Sequence, residues 1–286
     1  MLYLILAVAC SLVVGMIFKV AGLRQLDRMT LLTANYATAT ILGLTLARGT
    51  FLDLNWSTWM VVLGMVMGVL FISVFFFQAW ATALAGMSLS ISVVRLSVVI
   101  PFLASWFIWS ERPSIAQGIG LILAGISFVL VARKESEAGS SHSSSSSALV
   151  FAVLGLLFLS GGIVDVTLKA YNEEFADGSN LMAFLVVVFG VAFLTGLSVM
   201  VSKGSGRPER AAVMWGALLG AINFASAAFF LQAVRILPGT FVFPVHNIAL
   251  VIGGAVIGVL VWRERLSRLN LIGLALAGFA LLLLGQ

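Results

Sequence analysis

The chain has 286 residues, of which 61% are hydrophobic and only 9% charged, with a formal net charge of +5. A soluble domain carries about a quarter of its residues as charges, so these side chains cannot cover a water-facing surface and the chain is expected in a membrane. In that setting the basic excess marks cytoplasmic loops, not affinity for nucleic acid. The single cysteine, Cys10, excludes an internal disulfide, and no Cys/His cluster points to a metal.

Apolar runs of roughly twenty residues follow one another along the chain, each long enough to cross the hydrocarbon as a helix. They lack the period-two alternation of a barrel strand. The opening "LYLILAVACSLVVGMIF" has no basic start of the kind a cleaved signal carries, so it is expected to be the first membrane helix. Ten spans are predicted, at 2–18, 29–47, 57–80, 87–109, 114–132, 148–168, 181–201, 211–234, 239–262 and 268–285. The Ser-rich stretch "ARKESEAGSSHSSSSS", with His142 in it, divides them five and five, and its composition reads as a solvated linker.

The two groups of five are related. "WSERPSIAQGIGLILAG" (109–125) and "WRERLSRLNLIGLALAG" (262–278) agree at ten of seventeen positions without a gap. The match extends back to Gly86 with Gly239, "GMVMG" (64–68) with "GALLG" (216–220), and Lys19 with Lys169. The chain is therefore divided into a first repeat, 1–132, a linker, 133–147, and a second repeat, 148–286. Five is odd, so the second repeat enters the membrane from the opposite side and the repeats are inverted, a recurring plan of secondary transporters. Loops after odd-numbered spans carry eleven Lys and Arg residues and loops after even-numbered spans carry four. That bias places the odd loops in the cytoplasm and both termini outside.

Ten spans, two five-helix repeats and the shared "ER…IGLxLAG" signature after spans 4 and 9 together resemble the EamA-like transporters of the drug/metabolite transporter superfamily. The resemblance covers nearly the whole chain. It implies an all-α integral membrane protein of ten transmembrane helices as two inverted five-helix repeats. It also implies a central cavity lined by spans 1–4 and 6–9, with spans 5 and 10 at the periphery, and transport driven by a gradient without ATP. The substrates of such proteins range over amino acids, nucleotide bases, sugars, phosphorylated metabolites and toxic compounds. The pairs Glu111-Arg112 and Glu264-Arg265 are its nearest shared motif and are read as structural.

Polar residues within the spans mark the expected site. Arg95 lies deep in span 4, on one helical face with Ser88 and Ser92. A mid-membrane arginine costs about 2.5–3.5 kcal/mol on insertion scales, so it is expected to face a wet interior and grip a carboxylate or phosphate with two parallel hydrogen bonds. Pairing with Asp165 or a carbonyl is the structural alternative. Asp165 sits one turn before Lys169 on span 6, where it serves either as a helical salt bridge or as a proton or cation site. Lys19 and Lys169 are long enough to snorkel. In span 9, Pro244 withdraws a backbone donor near residue 240, and His246 and Asn247 follow at a depth comparable to Arg95. His246 is a second candidate to carry protons. Pro101 is expected to kink span 4 likewise. Asn35, Gln78 and Asn223 complete the expected substrate-binding set, though each is equally able to bond a neighbouring helix. Gly-x-x-x-Gly at 64–68, 216–220 and 254–258, and the glycines of spans 5 and 10, read as close helix packing.

The function expected is secondary active transport, by alternating access, of a small metabolite bearing an anionic group such as an amino acid or organic acid. Export of hydrophobic or cationic toxic compounds, a channel, and a flippase for a lipid-linked sugar are the alternatives. The expected partners are that substrate and the lipid bilayer, with no nucleic acid, in a monomer or homodimer of the bacterial inner membrane. No cofactor is expected. An enzyme is not expected either, because the sequence holds no nucleophile–base arrangement, metal-ligand spacing or nucleotide-binding glycine loop.

Overall fold

The computed structural model describes residues 1–47, 57–85, 87–132, 147–175, 181–202, 208–263 and 267–286. These form helices α1 (Leu2–Leu23), α2 (Arg28–Leu46), α3 (Thr58–Ala85), α4 (Met87–Leu96), α5 (Val99–Phe107) and α6 (Ile115–Ala132), followed by α7 (Ser147–Phe175), α8 (Leu181–Ser202), α9 (Arg210–Ile236), α10 (Gly239–Trp262) and α11 (Arg268–Leu284). There is no strand among the described residues. Eight helical stretches among them are long and apolar enough to cross a bilayer, with α4 and α5 counted as one; α6 and α11 are shorter apolar helices. Large apolar side chains such as Phe107, Ile115, Phe151 and Leu260 are exposed, which suits lipid and not water.

The spans expected from hydropathy are all present as helix, with two kinds of difference. Several helices run on past the apolar stretch: α1 to Leu23, α3 to Ala85 and α7 to Phe175. Helix propagation continues while each further residue can close an i→i−4 bond, whatever its hydropathy, so the end of an apolar window does not set the end of a helix. Span 4 is divided into α4 and α5 at Ser97–Val98. Helix ends are locally specified elsewhere. The Asp27 carboxylate accepts from Thr30 N–H at 2.7 Å to cap α2, and Ser267 with Asn270 forms a reciprocal capping box at α11. The linker 133–146 with His142, and Glu264-Arg265, lie outside the described residues.

The chain divides into two compact units, Met1–Ile72 with Ala170–Ile236, and Ser73–Lys169 with Leu237–Gln286. Each unit takes residues from both sequence repeats, so compactness and repeat identity partition the chain differently.

In the first unit α9 packs on α1 and α2, and α8 packs on α2. The approach of α9 to α2 depends on two glycines. A Cβ at Gly216 would stand 2.5 Å from the Leu31 carbonyl oxygen, and one at Gly220 would overlap the Asn35 carbonyl. Gly64 and Gly68 do the same for α3 against α8, with a Cβ at Gly68 standing 2.5 Å from the Val188 carbonyl. Here small residues let backbones meet. Ile17, Ala21, Leu31, Ala212 and Leu219 fill the space between α1, α2 and α9.

In the second unit α6 packs along α11, and α10 packs on α5 and α11. A Cβ at Gly120 would lie 3.2 Å from the Ala280 carbonyl, and Ser127 Oγ donates to the Gly273 carbonyl at 2.8 Å. The third glycine motif behaves differently, because nothing lies within 4 Å of a Cβ at Gly254. Spacing alone cannot tell which face of a membrane helix meets another helix and which meets lipid. Gly278 is open in the same way.

Candidate functional site

The break in span 4 begins with Pro101, which has no N–H to offer the Ser97 carbonyl. Ile100 N–H reaches that carbonyl instead, at 2.9 Å, and Ser97 Oγ donates to the Val94 carbonyl at 2.6 Å. The backbone groups freed by the interruption are thus bonded locally. Arg95 lies in the last turn of α4, where a cation meets the negative end of the helix.

Helix α7 lies directly against this break. A Cβ at Gly161 would stand 2.9 Å from Ser97 Oγ, and one at Gly162 would overlap the Ile100 side chain. The glycine pair lets the helix come this near. Asp165 follows one turn later on α7 and acts electrostatically on Arg95.

From α10, Asn247 supplies the direct partner of the guanidinium. Its Nδ2 donates to the Phe243 carbonyl at 3.0 Å, and its Oδ1 accepts from Arg95 Nη1 at 3.1 Å. Bonding at both ends defines the orientation of the amide, and Asn247 is buried. His246, half-buried on the same turn, also lies within electrostatic reach of Arg95. Four residues named from sequence as site candidates, Arg95, Asp165, His246 and Asn247, therefore gather from α4, α7 and α10. A guanidinium carries five N–H donors, and a planar carboxylate or phosphate matches its fork.

A second charged group closes one end of this unit. Helix α10 begins after Pro238, which has no side-chain acceptor for the first amides of the helix. Glu111, in the linker between α5 and α6, fills that role. Its carboxylate accepts from Gly239 N–H at 2.9 Å and from Thr240 N–H at 2.8 Å. It also meets Lys169 Nζ at 2.7 Å, and the two side chains are 16% and 3% exposed. The ammonium lies 5.9 Å from the centroid of the Trp109 ring. Lys169 therefore does not snorkel; α7 continues beyond it, and its charge is met inside the protein. Burial opposes ionisation of Glu111, but the hydrogen bonds from Lys169, Thr240 and Gly239 together with the ammonium charge outweigh it and hold the carboxyl below its usual range. Glu111 is structural, as its motif suggests, and its role is specific. The carboxylate caps α10 and ties that helix to α7.

The remaining candidates make other contacts. Asn223 Nδ2 donates to Asn35 Oδ1 at 3.2 Å within the first unit, where Asn35 is buried; this is a bond between helices. Ser11 and Ser226 bond at 2.8 Å in the same unit. Gln78, in the second unit, reaches Thr82 on its own helix at 3.4 Å. The Ser88 side chain lies outside what is described, while Ser92 Oγ reaches the Phe128 carbonyl at 3.5 Å. Sequence reasoning does not reach Gly161-Gly162, Ser105 or the cap made by Glu111. Ser105 Oγ is fully buried against Gly239 with no hydrogen-bond partner among the described residues. A signal for the cap is present in the sequence: a helix start with no capping side chain, and a glutamate in a conspicuous motif with no assigned partner.

Compared with known protein families, the chain matches none. It is 28% identical over 281 residues to an uncharacterised protein of Haemophilus influenzae, covering 95% of this chain and 93% of that one. A solved crystal structure shares the fold with a TM-score of 0.74 and 16% identity, over 99% of this chain and 94% of that one.

Proposed function

We propose that this protein is a secondary active transporter of a small anionic metabolite, working by alternating access between two inverted five-helix repeats, with Arg95 as the anion anchor. On this reading it belongs with the EamA-like drug/metabolite transporters, resides in the bacterial inner membrane, and has both termini outside. The observation that carries the proposal is the bond from Arg95 to Asn247. Arg95 comes from the first repeat and Asn247 from the second, and at the repeat offset Asn247 corresponds to Val94, beside Arg95. Discontinuous helices are where many transporters hold their substrates; span 4 is broken into α4 and α5, and its counterpart in the second repeat, α10, carries Pro244 within a continuous helix. An intramembrane charge is costly enough that function is the first explanation for it.

Ligand-dependent thermal stability of the purified protein tests this, with wild type beside Arg95→Ala. The probes are L-alanine, L-glutamate, pyruvate, citrate, inorganic phosphate, glucose 6-phosphate and ethidium. A ligand present at a hundred times its Kd stabilises the folded state by about 2.7 kcal/mol. An anion that raises the melting temperature of wild type but not of Arg95→Ala supports the proposal. Stabilisation by ethidium alone, equal in both proteins, rejects it in favour of an exporter of cationic compounds.

A further inference from the structure

Arg95 and Asp165 are opposite charges within the membrane-spanning helices of one unit, held near each other by the packing of Gly161 and Gly162 against the α4–α5 break. When both are ionised and no ligand is bound, their charges cancel. If a monoanion binds the guanidinium while Asp165 stays ionised, the site carries a net negative charge in a medium that penalises an unbalanced ion by several kcal/mol. Addition of one proton to a carboxylate oxygen of Asp165 restores neutrality.

On the basis of the anion site proposed above, we infer that Asp165 is the exchangeable counter-anion of Arg95, so that each substrate anion is bound together with one proton. The guanidinium turns from the charge of Asp165 to that of the substrate, and the proton comes from water in the access path. One O–H bond forms on Asp165 as one bond to hydrogen breaks in the hydronium or buffer acid that delivers the proton through that water. Release of the anion returns the guanidinium to the field of Asp165 and expels the proton. Loaded and empty carriers are then both neutral, which lets each cross between inward and outward states without moving net charge through the membrane potential. Among the described residues, the following charged and titratable groups lie around the pair. Arg95 faces Asp165 from α4, and His246 on α10 lies within reach of the same guanidinium. Lys169, one turn along α7, is held by Glu111 from the α5–α6 linker. His246 is the competing proton acceptor, and the variants below separate the two.

The experiment counts protons taken up per ligand bound, by calorimetry in buffers of different ionisation enthalpy at pH 8.5, using each probe that stabilises wild type in an Arg95-dependent way. The expected result is an uptake of about one proton per monoanion, with affinity falling about tenfold per pH unit where uptake is complete. Asp165→Asn is expected to bind without proton uptake and with a pH-independent Kd, while His246→Gln retains the uptake. Infrared difference spectra of wild type, ligand-bound minus free, give a measure that needs no variant: a protonated carboxyl band appears on binding. Arg95-dependent binding with no proton uptake and no such band overturns the inference and leaves the anion site standing. Uptake that survives in Asp165→Asn and disappears in His246→Gln also overturns it, assigning the proton to the histidine. If no probe binds in an Arg95-dependent way, the anion site falls and the inference falls with it.

Discussion

Replacing Glu111 by Gln keeps the shape of the side chain and removes its charge. The structure sets the size of the effect. Lys169 is 3% exposed and meets Glu111 at 2.7 Å, so Gln leaves a buried ammonium without its counter-ion, a change that costs about 3–5 kcal/mol. The single carbonyl oxygen of Gln can still serve one of the Gly239 and Thr240 amides, and the other loses its acceptor at about 1–3 kcal/mol if left unbonded. Lys169→Met alone leaves Glu111 its two amide donors and is expected to cost less than Glu111→Gln. The double variant has no buried charge left unpaired, so its cost is expected to be at least about 2 kcal/mol below the sum of the two. Unfolding in mixed detergent micelles, followed by far-UV circular dichroism, reads all four proteins. The pH dependence adds a check of sign. The folded-state pKa of Glu111 lies below the ordinary value of 4.5, so its stabilisation is complete above that value and is lost as pH falls through the folded one. Wild type should therefore lose a component of stability in acid that Glu111→Gln lacks. Additive costs in the cycle, or the same acid profile for wild type and Glu111→Gln, would refute the argument.

Helix packing and capping lead to two further expectations. Gly220→Leu forces a side chain into the Asn35 carbonyl, whereas Gly254→Leu meets open space; melting temperatures should fall sharply for the first, with an overpacking cost of about 1–3 kcal/mol or more, and barely move for the second. Asp27→Ala removes the side-chain acceptor of Thr30 N–H, and the same micelle assay should record a loss of about 1 kcal/mol.

Much of the fold is legible in the sequence because a bilayer demands it. A helix that must satisfy its own backbone in hydrocarbon announces itself as an apolar run of fixed length, and each expected span is found as helix, with span 4 divided into α4 and α5 and three helices running past their expected ends. The interruption of span 4 is legible from Pro101, whose missing donor acts locally. Arg95 and Asn247 are legible because each is costly where it stands, and the repeat offset puts them at matching depth. Tertiary pairing is less accessible. Lys169 reads as interfacial from its place at the end of an apolar run, yet Glu111, fifty-eight residues earlier, draws it inside. Asn35 and Asn223 carry the same side chain as Asn247, but bond to each other across α2 and α9. Gly161-Gly162 pass as two small residues among many, because their effect depends on which helix approaches them. The division into compact units follows packing among distant segments and leaves no mark in the repeats.

Solute counterflow in proteoliposomes tests the central claim most directly. Vesicles would be loaded with one anionic metabolite and supplied with a trace of its radiolabelled form outside, for wild type and Arg95→Ala. A carrier with its anion site at Arg95 should accumulate label transiently and saturably in wild type, and Arg95→Ala should lose that accumulation while remaining folded. Non-saturable flux without counterflow, or counterflow unchanged by Arg95→Ala, would contradict the account.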